Sequence, residues 1–338
     1  MDLPESQQAP NKDEGTVVMS RVRDFALLFV LVKLSLTSMV YADQCGMKMQ
    51  YTLSGAEIYS ATTGVSSLYY KTDMDVNTDG AARSYHPNDP RGKSIAYNNM
   101  GNAITKAWSQ SGKRITCDKG KATLRRGRCF DEYISAFEGA RDNNYHPDKF
   151  PRIETKYIIP WSHDERLGWS VPCTIKTGAN KGFFVSQTSL WLQKGDKCEP
   201  SNYVDSLSIN AVVYPKGVKW SSRGVYTDKG DLVVTRNTET GIIAFALHGD
   251  AGPSNKIGEG TIALTAELLG KTVPSDATYS EIRKLAVPNV EYLIFPANDV
   301  EKYYRNKGGV TQSRINEYGA KVFADWGGIE RLDTCARK

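Results

Sequence analysis

Residues 241–270 read GIIAFALHGDAGPSNKIGEGTIALTAELLG. The apolar run Ile242–Leu247 has the length and composition of a strand. Asp250 follows just past its end, and a loop of Gly, Pro and Asn comes next. Glu259 then sits between Gly258 and Gly260 as a helical pattern, Thr261–Leu269, begins, with Gly270 as its C-cap residue. This order presents two carboxylates at one edge of a sheet, the first at a strand terminus and the second near a helix start. Glycine beside an acid lets a bulky ligand approach the backbone closely. Singly, acids in such loops serve as turn formers and helix caps. As a pair they are what acetal cleavage requires: one, protonated, gives its proton to the leaving oxygen while the other activates water or attacks C1.

Working outward, strand-like runs occur at Phe183–Val185, Ile209–Tyr214, Leu232–Thr235 and Tyr292–Phe295, and Leu68–Tyr70 reads as a strand feeding into the acidic turn Asp73–Gly80. Helical periodicity is confined to a short segment around Phe130–Ala140, to Thr261–Leu269 and to Gln312–Trp326, the last stopped by Gly327-Gly328. The many tyrosines and short Gly-bounded apolar runs therefore predict an α+β, β-rich protein with a few peripheral helices. Residues 101–180 are charged, contain three cysteines and read as an insertion within one domain, 43–338.

The first residues bear on compartment. Residues 1–18 are polar and aperiodic, an expected disordered extension. From Met19, the basic residues Arg21 and Arg23, the apolar stretch Phe25–Leu36 and Val40-Tyr41-Ala42 read as a signal peptide, 19–42, cleaved on export. Lys33 interrupts the apolar stretch, which is shorter than the ~20 residues a membrane span needs. All six cysteines lie beyond residue 42, which fits maturation in an oxidising, secreted or periplasmic space. The simplest pairings are Cys45 with Cys335, Cys117 with Cys129 and Cys173 with Cys198. No cysteine spacing is C-x-x-C and the four histidines are scattered, so no metal site and no cofactor is expected.

The formal net charge is +5, and becomes +6 once the four Lys/Arg and five Asp/Glu of residues 1–42 are removed. Basic residues are dispersed except Arg125, Arg126 and Arg128, which read as a solvated loop, so nucleic acid is not the expected partner. A mildly basic exported protein is drawn to anionic surfaces such as cell-wall polymers.

The string His248-Gly249-Asp250-Ala251-Gly252-Pro253, then Ile257-Gly258-Glu259-Gly260 and Ile262-Ala263-Leu264, resembles the hallmark block of the glycoside hydrolase family 75 chitosanases. Further blocks fall in the family's order: Asp73–Gly80 with Asn88-Asp89-Pro90, Gly182–Leu190, and Tyr203-Val204-Asp205 leading to Val212–Pro215. The resemblance spans roughly Tyr69–Arg91 and Gly182–Phe295, and 101–180 and the C-terminal tail have no counterpart in it. It implies a β-barrel-like core and an inverting endo-hydrolase of glucosamine-containing chains, with Asp250 and Glu259 as the catalytic pair. The acid should be the less solvated member, and the reading leans to Glu259 as acid and Asp250 as base.

Asp73 and Asp75 are implied to line the sugar cleft. His248 is placed to hydrogen-bond Asp250 and tune it, unless strand alternation turns it to the other face. Asp75-x-Asn77-x-Asp79-Gly80 opens like an EF-hand loop, but position twelve is His86 where a Glu should be, so the full calcium loop is absent. Trp161, Trp169, Trp191 and Trp220 are candidates for stacking on sugar rings or, more simply, for cores. A polycationic chitosan calls for an acidic cleft, whereas peptidoglycan suits the basic mature chain. Both polymers stay open as substrates of an otherwise monomeric protein, as does a non-catalytic glycan-binding or inhibitor module on the same fold.

Overall fold

The computed structural model describes residues 45–116, 128–215, 227–253, 255–274 and 276–337. The extension 1–18, the signal segment 19–42, Cys117, Arg125, Arg126 and Trp220 lie outside them. Two compact units are present: residues 46–330, and a small one in which Cys45 joins residues 331–337.

The larger unit is built on twelve strands. In chain order they are β1(Met47–Leu53), β2(Ala56–Ala61), β3(Leu68–Asn77), β4(Lys106–Trp108), β5(Arg152–Glu154), β6(Trp161–Asp164), β7(Trp169–Pro172), β8(Ala211–Pro215), β9(Asp231–Asn237), β10(Ile243–Gly252), β11(Glu259–Thr261) and β12(Val287–Asp299). The order β3-β11-β8-β10-β9-β12 closes on itself through a β12–β3 pairing, giving a six-stranded barrel, and the β1–β2 hairpin extends it at β3. Pairing is antiparallel except for β10 with β8 and β11 with β3, which are parallel. The expectation of a β-rich α+β fold with a barrel-like core therefore holds. Strand alternation fills the barrel with Leu68, Tyr70, Met74, Val212, Tyr214, Val233, Ala246, Tyr292 and Ile294, all buried in one apolar cluster.

The helices of the larger unit are peripheral: α1(Met100–Ala103), α2(Arg128–Asp142), α3(Ile262–Leu268), α4(Tyr279–Arg283), α5(Val300–Tyr304) and α6(Gln312–Trp326); α7(Gly328–Ala336) runs on into the small unit. The helix expected at Gln312–Trp326 has those bounds and ends on left-handed Gly327, φ 117°. α3 starts at its N-cap Thr261 and drives Leu264 and Leu268 into the barrel cluster. Each such buried leucine contributes roughly 2 kcal/mol.

Two local expectations change. The acidic stretch is not a turn up to Asn77: β3 runs through it, because Met74 is needed in the barrel core and Asp73 and Asp75 then fall on the opposite face. Phe183–Val185 is apolar because it is buried, not because it joins a sheet. Its backbone bonds instead to Tyr85, Cys173 and Ile175 of neighbouring loops. The lobe at 100–172 has its own apolar cluster, including Met100, Ile134, Phe137 and Ile153, closed by Tyr85 and Phe184 from outside it, so it belongs to the same unit.

Cys45–Cys335 and Cys173–Cys198 are disulfide-bonded as expected. Cys129 is disulfide-bonded too, while its expected partner lies outside the described residues. Among the described residues, no helix is long and apolar enough to cross a membrane.

Candidate active site

The barrel register aligns the acids. Asp75 of β3 pairs with Glu259 of β11, Glu259 pairs with Val213 of β8, and Val213 pairs with Asp250 of β10. Paired residues project to the same face, and Met74, Gly260 and Val212 take the inner one, so Asp75, Glu259, Val213 and Asp250 form a row on the outer face. Two strand spacings, roughly 10 Å, separate the Asp250 and Glu259 backbones. The sequence reading placed Asp250 beyond its strand and Glu259 at a helix start. Both are instead in strands, Asp250 beyond a register shift that lets β10 continue to Gly252.

Gly258 explains the sharp approach to β11. Its φ is +87°, and a Cβ there would lie 2.3 Å from the Asp73 carbonyl oxygen, so only glycine fits. The Gly258 carbonyl in turn accepts the Asp75 N–H at 2.8 Å, locking the two acid-bearing strands together.

Asp250 is surrounded by protein yet part-exposed. Its Oδ1 accepts the backbone N–H groups of Ser189 and Ala251, both at 2.8 Å. Burial raises its carboxyl pKa, those N–H groups pull it back, the Glu259 charge adds to the rise, and the result is about 6. Glu259 accepts a short hydrogen bond from Lys256 Nζ, which also reaches Asp75 Oδ2 at 3.3 Å. Burial works against the Lys256 charge, but Glu259 and Asp75 outweigh it and hold the ammonium above the usual lysine range.

A third carboxyl joins the pair. Asp79 follows β3 and is 9 % exposed. Its Oδ1 accepts Tyr85 Oη–H at 2.8 Å and Ser186 Oγ–H at 3.4 Å. Tyr85 is itself held by Asn98 Nδ2 at 3.1 Å. Burial, then the charge of Asp250, raises the Asp79 carboxyl against the pull of Tyr85, with Glu259 adding to the rise, to about 8.

His248 faces the other way. Its ring packs on Tyr214 at 4.7 Å, Nδ1 lies 2.9 Å from the Asp228 carbonyl and Nε2 3.0 Å from that of Asp250. Burial lowers its pKa to about 4, against the pull of those two carbonyls. It braces the Asp250 backbone rather than meeting the carboxylate. Asp73 is exposed on the Asp75 face and accepts Asn289 N–H at 3.1 Å. The EF-hand-like run is strand to Asn77 and a turn at Asp79-Gly80, and among the described residues no group of three or more His, Cys, Asp or Glu could hold a metal ion. Trp191 is 39 % exposed, two residues from the Ser189 amide that holds Asp250, whereas Trp161 and Trp169 are half-buried with their indole N–H groups bonded to Thr155 and Asn144.

Compared with known proteins, the chain matches no protein-family model, and no curated protein matches it significantly.

Sequence reasoning gave no chemical role to Lys256, Ser189 or Tyr85. Ser189 and Tyr85 carry no local signal, since each meets its carboxylate through a fold of the chain. Lys256 could have been suspected three residues before Glu259. The burial criterion also ranks the acids differently from the sequence reading: Asp79 and Asp250 are both raised by burial, and Glu259 is tied to a lysine.

Proposed function

We propose that the chain is a secreted or periplasmic glycoside hydrolase that cleaves β-1,4 linkages within an amino-sugar polymer, with inversion at C1. The observation that carries this reading is the row that sets Asp250 and Glu259 on one face, two strands apart. Backbones roughly 10 Å apart on one face leave room for a water beside the sugar, wider than the ~5–5.5 Å between the carboxyls of a retaining pair. Asp250, anchored by two N–H groups, takes the proton of the attacking water. Glu259 supplies negative charge opposite the positive charge that develops at C1.

Local charge favours chitosan over peptidoglycan. Acids outnumber cations along this row: Asp75 and Glu259 share the ammonium of Lys256, and Asp73, Asp79 and Asp250 have no ion pair to it, a setting that suits the ammonium groups of glucosamine. The resemblance to the family 75 chitosanases agrees. The disulfides support an oxidising compartment.

One observation favours a second reading, a glycan-binding module without turnover: Lys256 already occupies Glu259 and Asp75. Proton NMR of a chitosan digest separates these. The hydrolase reading expects new reducing ends to appear first as the α-anomer; β-anomer first would contradict inversion, and tight binding with no new reducing ends would favour the module.

A further inference from the structure

Resting on the hydrolase reading, the donor of the leaving-group proton has still to be found among the acids. Asp250 is held by two backbone N–H groups that favour its ionised form, and Glu259 is engaged by Lys256. Asp79 differs from both. Its Oδ1 is anchored by the Tyr85 and Ser186 hydroxyls, and its Oδ2 makes no hydrogen bond to another described residue. Ser186 on Asp79 and Ser189 on Asp250 belong to one segment, three residues apart, so the two carboxyls are anchored along the same stretch of chain by serines within roughly 10 Å of each other. Its two chain neighbours reach the surface: Thr78 lines a cleft of about 100 Å³ together with Asp75, and Gly80 lines a groove of about 590 Å³, while Asp79 itself lies behind them, 9 % exposed.

We infer that Asp79 is a third catalytic carboxyl of this site, the one that protonates the leaving glycosidic oxygen. As the C1–O bond breaks, its electron pair stays on the leaving oxygen, which takes the proton from Asp79 Oδ2. Water adds its oxygen to C1 and gives a proton to Asp250. The products are a hemiacetal and an alcohol, with Asp79 ionised and Asp250 protonated; exchange with solvent resets both. Burial above all holds the proton on Asp79, the charges of Asp250 and Glu259 add to it, and the Tyr85 and Ser186 hydroxyls oppose it. This assignment keeps Asp250 as the base and moves the acid from Glu259 to Asp79.

The test compares Asp79→Asn, Asp79→Glu, Glu259→Gln and parent on chitosan and on a nitrophenyl glucosamine oligosaccharide, whose leaving group needs no proton. The expected result is that Asp79→Asn loses at least about 100-fold on chitosan but keeps most of its rate on the nitrophenyl substrate. Its basic pH limb should vanish, and Asp79→Glu should recover part of the polymer rate. Glu259→Gln should lose both substrates. Equal loss of both substrates by Asp79→Asn, or no loss at all, would overturn the assignment. Infrared difference spectra of parent against Asp79→Asn supply a readout that needs no turnover: a protonated-carboxyl band at neutral pH that the parent has in excess, the Asp231 carboxyl, raised by burial to about 7, being common to both. Absence of that excess in the parent overturns the assignment even if the parent cleaves chitosan. A parent that shows the excess but cleaves neither substrate loses the hydrolase reading, and the catalytic role of Asp79 with it, while the buried proton stands.

Discussion

Asp79 shows how one residue couples the site to stability. Its carboxyl is raised to about 8 in the fold from an ordinary 3.8, so the folded state binds this proton more tightly than the unfolded chain does. The contribution is most favourable below pH ~4 and is lost progressively as pH rises towards 8. Asp79→Asn, which cannot ionise, should therefore gain on the parent as pH rises. Thermal unfolding followed by circular dichroism should show the variant's Tm relative to the parent several degrees higher at pH 8 than at pH 4. A difference that is flat across this range would mean that Asp79 is ionised in the fold at neutral pH. His248 acts with the opposite sign: lowered to about 4 from 6.5, its neutral form favours the fold above pH ~6.5, and that stability is lost as pH falls towards 4.

Among the elements, the join of β11 to α3 does most to position Glu259. Thr261 Oγ1 accepts the Leu264 and Ala211 N–H groups at 3.4 and 3.0 Å and donates to the Ile209 carbonyl at 2.8 Å, so one hydroxyl caps the helix and pins β11 to the start of β8. Thr261→Ala should cost about 1–3 kcal/mol in urea unfolding; Thr261→Ser, which keeps the hydroxyl, should cost about 1 kcal/mol or less. A Thr261→Ala protein as stable as the parent would show that the strand pairs alone hold Glu259. The elements themselves were largely legible in the sequence, since β8, β9, β10, β12, α2, α3 and α6 each fall where apolar period, caps and glycines put them. What escaped was strand extent. β3 and β10 continue through Asp73–Asn77 and through His248–Gly252, stretches whose acids and glycines read as turns, because pairing with β11 and with β8 outweighs their low strand propensity.

At the scale of the whole molecule, closure of the barrel is what makes a site of scattered acids. Asp75 and Glu259 are far apart in sequence and become neighbours only through parallel β3–β11 pairing, and Asp250 and Glu259 are separated by β8, inserted between their strands. Local pattern holds no record of such pairings, so the sequence reading found Asp250 and Glu259 but not the distance between them, and read Asp79 correctly as part of a turn without its nearness to Asp250. The 100–172 lobe contributes in the same non-local way: its apolar cluster includes Tyr85, the residue whose hydroxyl anchors Asp79. The central claim, that this face of the barrel cuts an amino-sugar polymer, is tested most directly by mass spectrometry of products after incubating the purified protein, Asp250→Asn and Glu259→Gln separately with chitosan and with peptidoglycan. The account predicts oligosaccharides from chitosan with the parent and none with either variant; no release from either polymer by a folded parent, or undiminished release by the variants, would contradict it.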